Sequence, residues 1–248
     1  MPAAVALGGL ALWELLVRTG AVGPLWFPPP TRIVARLGEL SASGELARHL
    51  GATLGRLLPG VVLGGVPGLL LGLSMGMSTR LRTVVDPFVA ALHPVPKLAI
   101  LPLVMVLVGI GETSKVLLVA IAAFFPMVIN AMAGVRQISP LYFEVAENYG
   151  ARRPQVLRRV VLPATLPLAL SGLRLALNSG FGATIGSEIV TARDGLGAMM
   201  WLAWEVLRVP DIYAALVVIC IIGVGFNKLV LLLLSRLAPW QPERHKAP

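Results

Sequence analysis

Apolar residues in this chain run in long stretches, separated by glycine, proline and short charged clusters. Six stretches approach or reach the roughly 20 residues that a helix needs to cross a bilayer. They are Pro2 to Val17 (short, with Glu14 near its end), Leu57 to Met77, Val89 to Gly109, Ser114 to Gly134, Leu166 to Val190 and Ile212 to Leu234. Period-two alternation is absent, which argues against a transmembrane barrel. The pattern predicts an all-α, polytopic membrane protein of about six transmembrane helices. Residues 1–248 are expected to form a single transmembrane domain, with an N-terminal anchor helix and interfacial segment over 1–56 and core spans with a polar loop over 57–248.

Within this pattern, glycine and proline carry information. Gly60, Gly64, Gly68, Gly72 and Gly76 recur every fourth residue in the second stretch. In lipid, small residues in register let helix backbones approach closely, so this ladder is expected to pack on a neighbouring helix. Pro67 should bend it. His93-Pro94-Val95-Pro96-Lys97 is followed by Pro102, and a regular helix through Pro102 is not expected. Two readings stand: a broken helix beside a pathway, or an entry loop at the interface. The first stretch lacks a basic n-region and a cleavage site, so it reads as an uncleaved anchor. Phe27-Pro28-Pro29-Pro30 forbids helix, Thr31 can cap a helix that starts after it, and Ile33, Leu37, Leu40 and Leu50 give an amphipathic, interfacial pattern.

Composition agrees. Apolar types make up 56% and charged residues only 13%, against about 25% charged in soluble domains. The net charge of +9 is that of a protein facing anionic lipid; no basic run is interleaved with aromatics, so nucleic acid is not an expected partner. The single cysteine, Cys220, builds neither a disulfide nor a cysteine metal site. With both termini in the cytoplasm, the inner segments hold ten basic residues and the outer ones eight, a weak bias in that direction.

Catalytic chemistry is not visible. No G-x-x-x-x-G-K-[ST] phosphate cradle exists, and Gly109-Ile110-Gly111-Glu112-Thr113-Ser114-Lys115 has the wrong spacing for one. His49, His93 and His245 are far apart in sequence, and none sits in H-E-x-x-H. Ser187 lies in a stretch that offers no histidine base. Neither a catalytic residue nor a metal or cofactor set is therefore assigned. Lys97 and Glu188 are the ionisable residues expected at membrane depth, where a charge usually faces protein or water. They are candidates for a translocation path that takes an anion. The alternative is that Lys97 snorkels and Glu188 pairs with a structural donor such as Arg174 or a residue of a second copy.

Residues 139–163 read SPLYFEVAENYGARRPQVLRRVVLP. Pro140 suits the first position of a helix, Leu141, Val145 and Tyr149 recur at helical spacing, and Gly150 suits a left-handed C-cap. Pro154 starts a second helix, with Leu157, Val160 and Val161 as its apolar side. One side of this helix–glycine–helix unit can rest on the protein's own spans while Glu144, Glu147, Arg152 and Arg153 face solvent.

This segment resembles the EAA loop of permease subunits of bacterial binding-protein-dependent ABC importers. Glu144, Ala146, Gly150, Val160, Leu162 and Pro163 stand at the matching positions; Val145 replaces the middle alanine and Val160 the isoleucine. Phe27-Pro28-Pro29-Pro30, His49, Asp86-Pro87, Pro94-Val95-Pro96-Lys97-Leu98-Ala99, Gly109-Ile110-Gly111-Glu112, Phe124-Phe125-Pro126, Gly134-Val135-Arg136, Gly172-Leu173-Arg174 and Gly195-Leu196-Gly197 are similar to the nitrate/sulfonate/taurine branch. Riboflavin- and pyrimidine-precursor permeases are similar in the same segments.

The resemblance implies a multi-pass protein of the bacterial cytoplasmic (inner) membrane without catalysis of its own. Glu144, Ala146, Gly150, Leu162 and Pro163 would couple it to a cytoplasmic ATP-binding subunit, which holds the ATP. Its other implied partners are a second permease copy in a homodimer, an extracytoplasmic substrate-binding protein and the lipid bilayer. The implied cargo is a small anion such as sulfonate, taurine or nitrate, or a vitamin or pyrimidine precursor. A secondary carrier driven by an ion gradient and a non-transporting scaffold are the competing classes.

Overall fold

The structure is a computed structural model that describes residues 2–240, and among these it is all-helical. Its elements are α1 (Pro2–Arg18), α2 (Pro30–Ala42), α3 (Glu45–Met77), α4 (Thr79–Leu92), a short 3-10 turn (Lys97–Ile100), α5 (Leu101–Val108) and α6 (Glu112–Arg136). Then come α7 (Pro140–Asn148), α8 (Arg153–Val156), a π-helical turn (Leu157–Val161), α9 (Leu162–Thr191), α10 (Leu196–Glu205) and α11 (Val209–Leu237).

Among the described residues, four helical runs are long and apolar enough to cross a membrane: Glu45–Met77, Glu112–Arg136, Arg153–Thr191 and Val209–Leu237. The expected third span is instead a pair, Thr79–Leu92 and Lys97–Val108, bent by 92°. The pair brings the count to five if it is one span, not six. At 17 residues α1 is shorter than any of the four. The double-proline segment causes the bend, and Pro102 sits at the start of α5, where its missing N–H costs no hydrogen bond. Pro59 and Pro67, by contrast, are accommodated inside α3, which runs on for 33 residues. The connection between the fifth and sixth apolar stretches contains α10, whose Leu196, Ala198, Met199 and Ala203 are buried.

The chain divides into two compact units. One comprises the chain up to Gly55 together with Ile185–Ile222; the other comprises Arg56–Thr184 together with the chain from Gly223 on. The first 55 residues thus form a unit only with a later segment that includes α10, which the reading of 1–56 as anchor and interface did not anticipate.

The larger unit is built on α6. A Cβ on Gly60 would touch Val119, on Gly64 the Ala120 backbone, on Gly68 the Phe124 carbonyl, on Gly72 the Val128 carbonyl and Ala131, and on Gly76 the Val135 side chain. All five rungs of the ladder therefore meet α6. On another side, Gly134 meets Thr165 and Gly172 meets Asn130, which brings α9 close as well. Met75, Val89, Phe125, Val128 and Met132 join α3, α4 and α6. Leu101, Leu118, Ala122 and Ala183 join α5, α6 and α9.

In the smaller unit, Leu40 of α2 packs with Met199 of α10 and with Ala214 and Ala215 of α11. Arg36 clamps Asp211 with both Nε and Nη2, the latter at 3.1 Å, and donates to Glu39 from Nη1 at 2.7 Å. These hydrogen bonds, that to Asp211 foremost, push the Arg36 pKa above its ordinary value. Trp13 and Tyr213 meet with ring centroids 5.8 Å apart.

The ladder makes a contrast available between adjacent glycines. Gly64→Leu places its side chain where the Ala120 backbone stands, while Gly65 has nothing within 4 Å. The first change should cost more than the roughly 1–3 kcal/mol of ordinary overpacking and abolish the monodisperse gel-filtration peak. Gly65→Leu should elute as the parent does; equal profiles for the two variants would remove the close approach.

Candidate functional site

The 139–163 loop is a helix with a defined stop. Pro140 opens α7, and Gly150 has φ +66°. The Ala151 amide donates to the Ala146 carbonyl at 2.9 Å, and the Gly150 amide to the Glu147 carbonyl at 2.8 Å. This is the Schellman arrangement, in which a left-handed residue turns the last amides back onto the helix. Open space surrounds the Gly150 Cα, so glycine is required there by its φ and not by crowding. Beyond it, the Arg152 amide donates to Gln155 Oε1 at 2.7 Å. The helix then widens into a π turn just before Pro163, whose ring would otherwise press on the carbonyl four residues back.

The side of this unit that rests on the protein consists of Phe143, Val156, Leu157 and Val161, packed with Leu73, Ala131 and Val135. The stripe read from helical spacing is exposed: Leu141 at 62%, Val145 at 46% and Tyr149 at 88%. Glu144 and Gly150 are exposed as well, Ala146 and Pro163 are half-buried, and Leu162 is 41% exposed.

The two ionisable candidates for a pathway lie in separate units. Glu188 is fully buried. Its Oε2 accepts from Thr53 Oγ1 at 3.0 Å and from the Gly197 amide at 3.0 Å, while the Leu196 amide donates to Thr53 Oγ1 at 2.9 Å. His49 Nδ1 lies 3.1 Å from the Gly195 amide nitrogen and 2.9 Å from its carbonyl oxygen. Together Glu188, Thr53 and His49 hold the start of α10, and the carboxylate lies at the positive end of that helix. Gly195 has φ +108°, and a Cβ there would strike the Glu188 carboxyl group. Arg174 instead donates to Asn227 Oδ1 at 2.6 Å.

Lys97 donates from Nζ to the carbonyls of Leu92, His93 and Val95 at 3.1, 2.6 and 2.7 Å, and lies 4.8 Å from the centre of the Phe125 ring. Its ammonium thus occupies the broken end of α4.

Sequence reasoning missed two further charged features. Arg56 Nε donates to Glu112 Oε2 at 2.6 Å, and buried Lys115 donates to Glu112 Oε1 at 2.8 Å. Glu14 accepts from the Thr31 amide at 3.1 Å and the Thr31 hydroxyl at 2.9 Å. Thr31 therefore does not cap α2; Glu14 does so from α1. Glu112 stands in the Gly109-Ile110-Gly111-Glu112 motif, but its partner 56 residues earlier had no sequence signal. Among the described residues, no cluster of three or more metal-ligating side chains occurs.

The cap of α10 yields a test. Thr53→Val strips a donor from Glu188 and the acceptor from the Leu196 amide. It should cost about 1–3 kcal/mol and lower the melting temperature of the purified protein. Thr191→Val removes only a bond to its own helix, at the Ser187 carbonyl, and should melt close to the parent. Equal melting of all three proteins would mean that the cap carries no stability.

Comparison with known proteins agrees with this architecture. The family model described as binding-protein-dependent transport system inner membrane component matches residues 68–241. The chain is 35% identical over 239 residues to the taurine transport system permease protein TauC of Escherichia coli, covering 94% of this chain and 87% of that one. It is 33% identical over 232 residues to the putative aliphatic sulfonates transport permease protein SsuC of Bacillus subtilis (94% and 84%). It is 35% identical over 232 residues to the riboflavin transport system permease protein RibX of Chloroflexus aurantiacus (94% and 87%). An inward-facing structure of the MetNI methionine ABC transporter superposes with a TM-score of 0.70 at 19% identity, over 76% of this chain and 94% of that one, a likeness of fold. The chain is a multi-pass membrane protein that belongs to the binding-protein-dependent transport system inner membrane component family, the permease subunits of ABC importers.

Proposed function

We propose that two copies of this chain form the translocation path for a small anion of the sulfonate class, taurine among them, in a bacterial inner membrane. An extracytoplasmic binding protein would deliver the cargo, and a separate cytoplasmic ATPase subunit would supply the energy. The observation that carries the coupling part is the exposed apolar face of α7. Leu141, Tyr142, Val145 and Tyr149 stand outward on a helix whose other side is packed and whose end is fixed by the Gly150 turn. An apolar helix face of this kind fits a groove on a partner. The taurine and aliphatic sulfonate permeases among the relatives support the cargo class. Lys97 and Glu188 would serve the path by holding the backbone around it, since both are engaged by backbone groups.

Coupling is tested at Gly150 in a complex reconstituted with a partner ATPase subunit and a taurine-binding protein. An L-residue in the left-handed region costs roughly 1–2 kcal/mol, and asparagine tolerates that region best. Gly150→Asn should keep most of the taurine-stimulated ATP hydrolysis. Gly150→Val should insert normally yet lose stimulation and uptake. Parental coupling in the valine variant would sink the lever. An intact lever that answers to riboflavin but not to taurine would overturn the cargo class alone.

A further inference from the structure

Beside the 139–163 loop, within the larger unit, lies a cavity of about 1210 Å³. Its walls come from the last turn of α3, the start of α4, the end of α6, α7 with the turn after it, and α8. Four guanidinium-bearing residues line it: Arg82, Arg136, Arg152 and Arg153. Glu147 is the one carboxylate residue in the lining. Among the described residues, none of these four side chains takes part in an ion pair or a hydrogen bond. Arg36 and Arg56, by contrast, are both held by carboxylates at short range. Four like charges with a single counter-charge repel one another, and an anion between them would offset that repulsion.

Another part of the wall is apolar: Met77, Val135, Ile138, Phe143 and Val156. The cavity also lies at the ends of two membrane-crossing helices, α3 and α6. A lining that is cationic on one part and apolar on another suits an amphiphile at the boundary between lipid and water. Guanidinium groups match phosphate oxygens in pairs, and a carboxylate-poor surface leaves them free to do so.

We propose that this cavity is a binding site for a phosphate-bearing anion. The head group of an anionic phospholipid is its source in the membrane, and free inorganic phosphate is the soluble source of the same chemistry. The site stands whether or not α7 docks an ATPase, because the four arginines and the apolar wall belong to this chain alone.

The test uses the full chain purified in detergent and native mass spectrometry with phosphatidylglycerol or phosphatidylcholine. Phosphatidylglycerol adducts should dominate. Arg82→Gln with Arg136→Gln should weaken them about thirtyfold, two charges at about 1 kcal/mol each near a membrane surface. Arg82→Lys with Arg136→Lys keeps the charge but loses the paired geometry, so it should weaken binding, though less than the glutamine pair; Arg158→Gln with Arg159→Gln, whose residues lie outside the cavity, should keep all of it. A parallel thermal-shift series with inorganic phosphate reports the soluble source. A phosphate response without a lipid response, lost in the same glutamine pair, supports the site with that source. Should the glutamine pair fail to run as a single gel-filtration peak, the single variants carry the comparison, at about fivefold each by the same per-charge figure. The proposal is overturned if neither ligand binds. It is equally overturned if the glutamine variants bind as the parent does, or if Arg158→Gln with Arg159→Gln loses binding to the same extent.

Discussion

In apolar surroundings a backbone amide or carbonyl has no water to bond, so every helix end needs a partner from the protein itself. This constraint accounts for the side chains that look most out of place in so apolar a chain. Glu14 receives the first turn of α2, Glu188 with Thr53 receives the first turn of α10, and Lys97 fills the last turn of α4. The signs follow the helix dipole: carboxylates stand at N-termini and the ammonium at a C-terminus. Gly150 solves the same problem without a side chain, by folding the amides of residues 150 and 151 back onto α7. These charged residues are therefore intelligible as helix ends before any of them is asked to touch cargo.

The second constraint is distance between backbones. A helix pair can drop the lateral size of side chains only if small residues recur at the spacing of one face. Five glycines of α3 do so, and each meets α6. Because α6 also receives Gly172 of α9, its own packing surface is used on more than one side. That explains why α6 is the most buried of the four long helical runs, and why its lysine, Lys115, is held by Glu112 close at hand.

Features written in local spacing were legible in the sequence: the apolar stretches, the glycine ladder, the proline break before Pro102 and the left-handed glycine at position 150. Features that depend on distant residues were not. Thr53 and Glu188 are 135 positions apart, and His49 and Gly195 are 146 apart; nothing in either neighbourhood names the other. The bend after α4 converted one expected span into two pieces, because three prolines cut the pattern without saying at what angle the chain resumes. The exposed stripe on α7 misleads in another way. Periodicity marks Leu141, Val145 and Tyr149 as one face, but it cannot say whether this chain or a partner covers that face. Phe143, which breaks the stripe, is the residue that packs inward.

The distribution of charge follows from the same economy of partners. A cation in a low-dielectric region is tolerated when a carboxylate or several carbonyls lie within hydrogen-bond reach. Arg56 and Lys115 share Glu112, Arg36 has Asp211 and Glu39, and Lys97 has three carbonyls. These groups are consumed by the fold and have little left to offer a ligand. The arginines around the 139–163 loop are the opposite case: they are mostly solvent-exposed, so the fold does not oblige them to find an internal partner. Their positive field is then available to whatever negative group approaches that face, be it lipid or protein. The chain thus separates its charges by role, with those of Arg36, Arg56, Lys97 and Lys115 spent on internal carboxylates and carbonyls and those at the loop left to act outward.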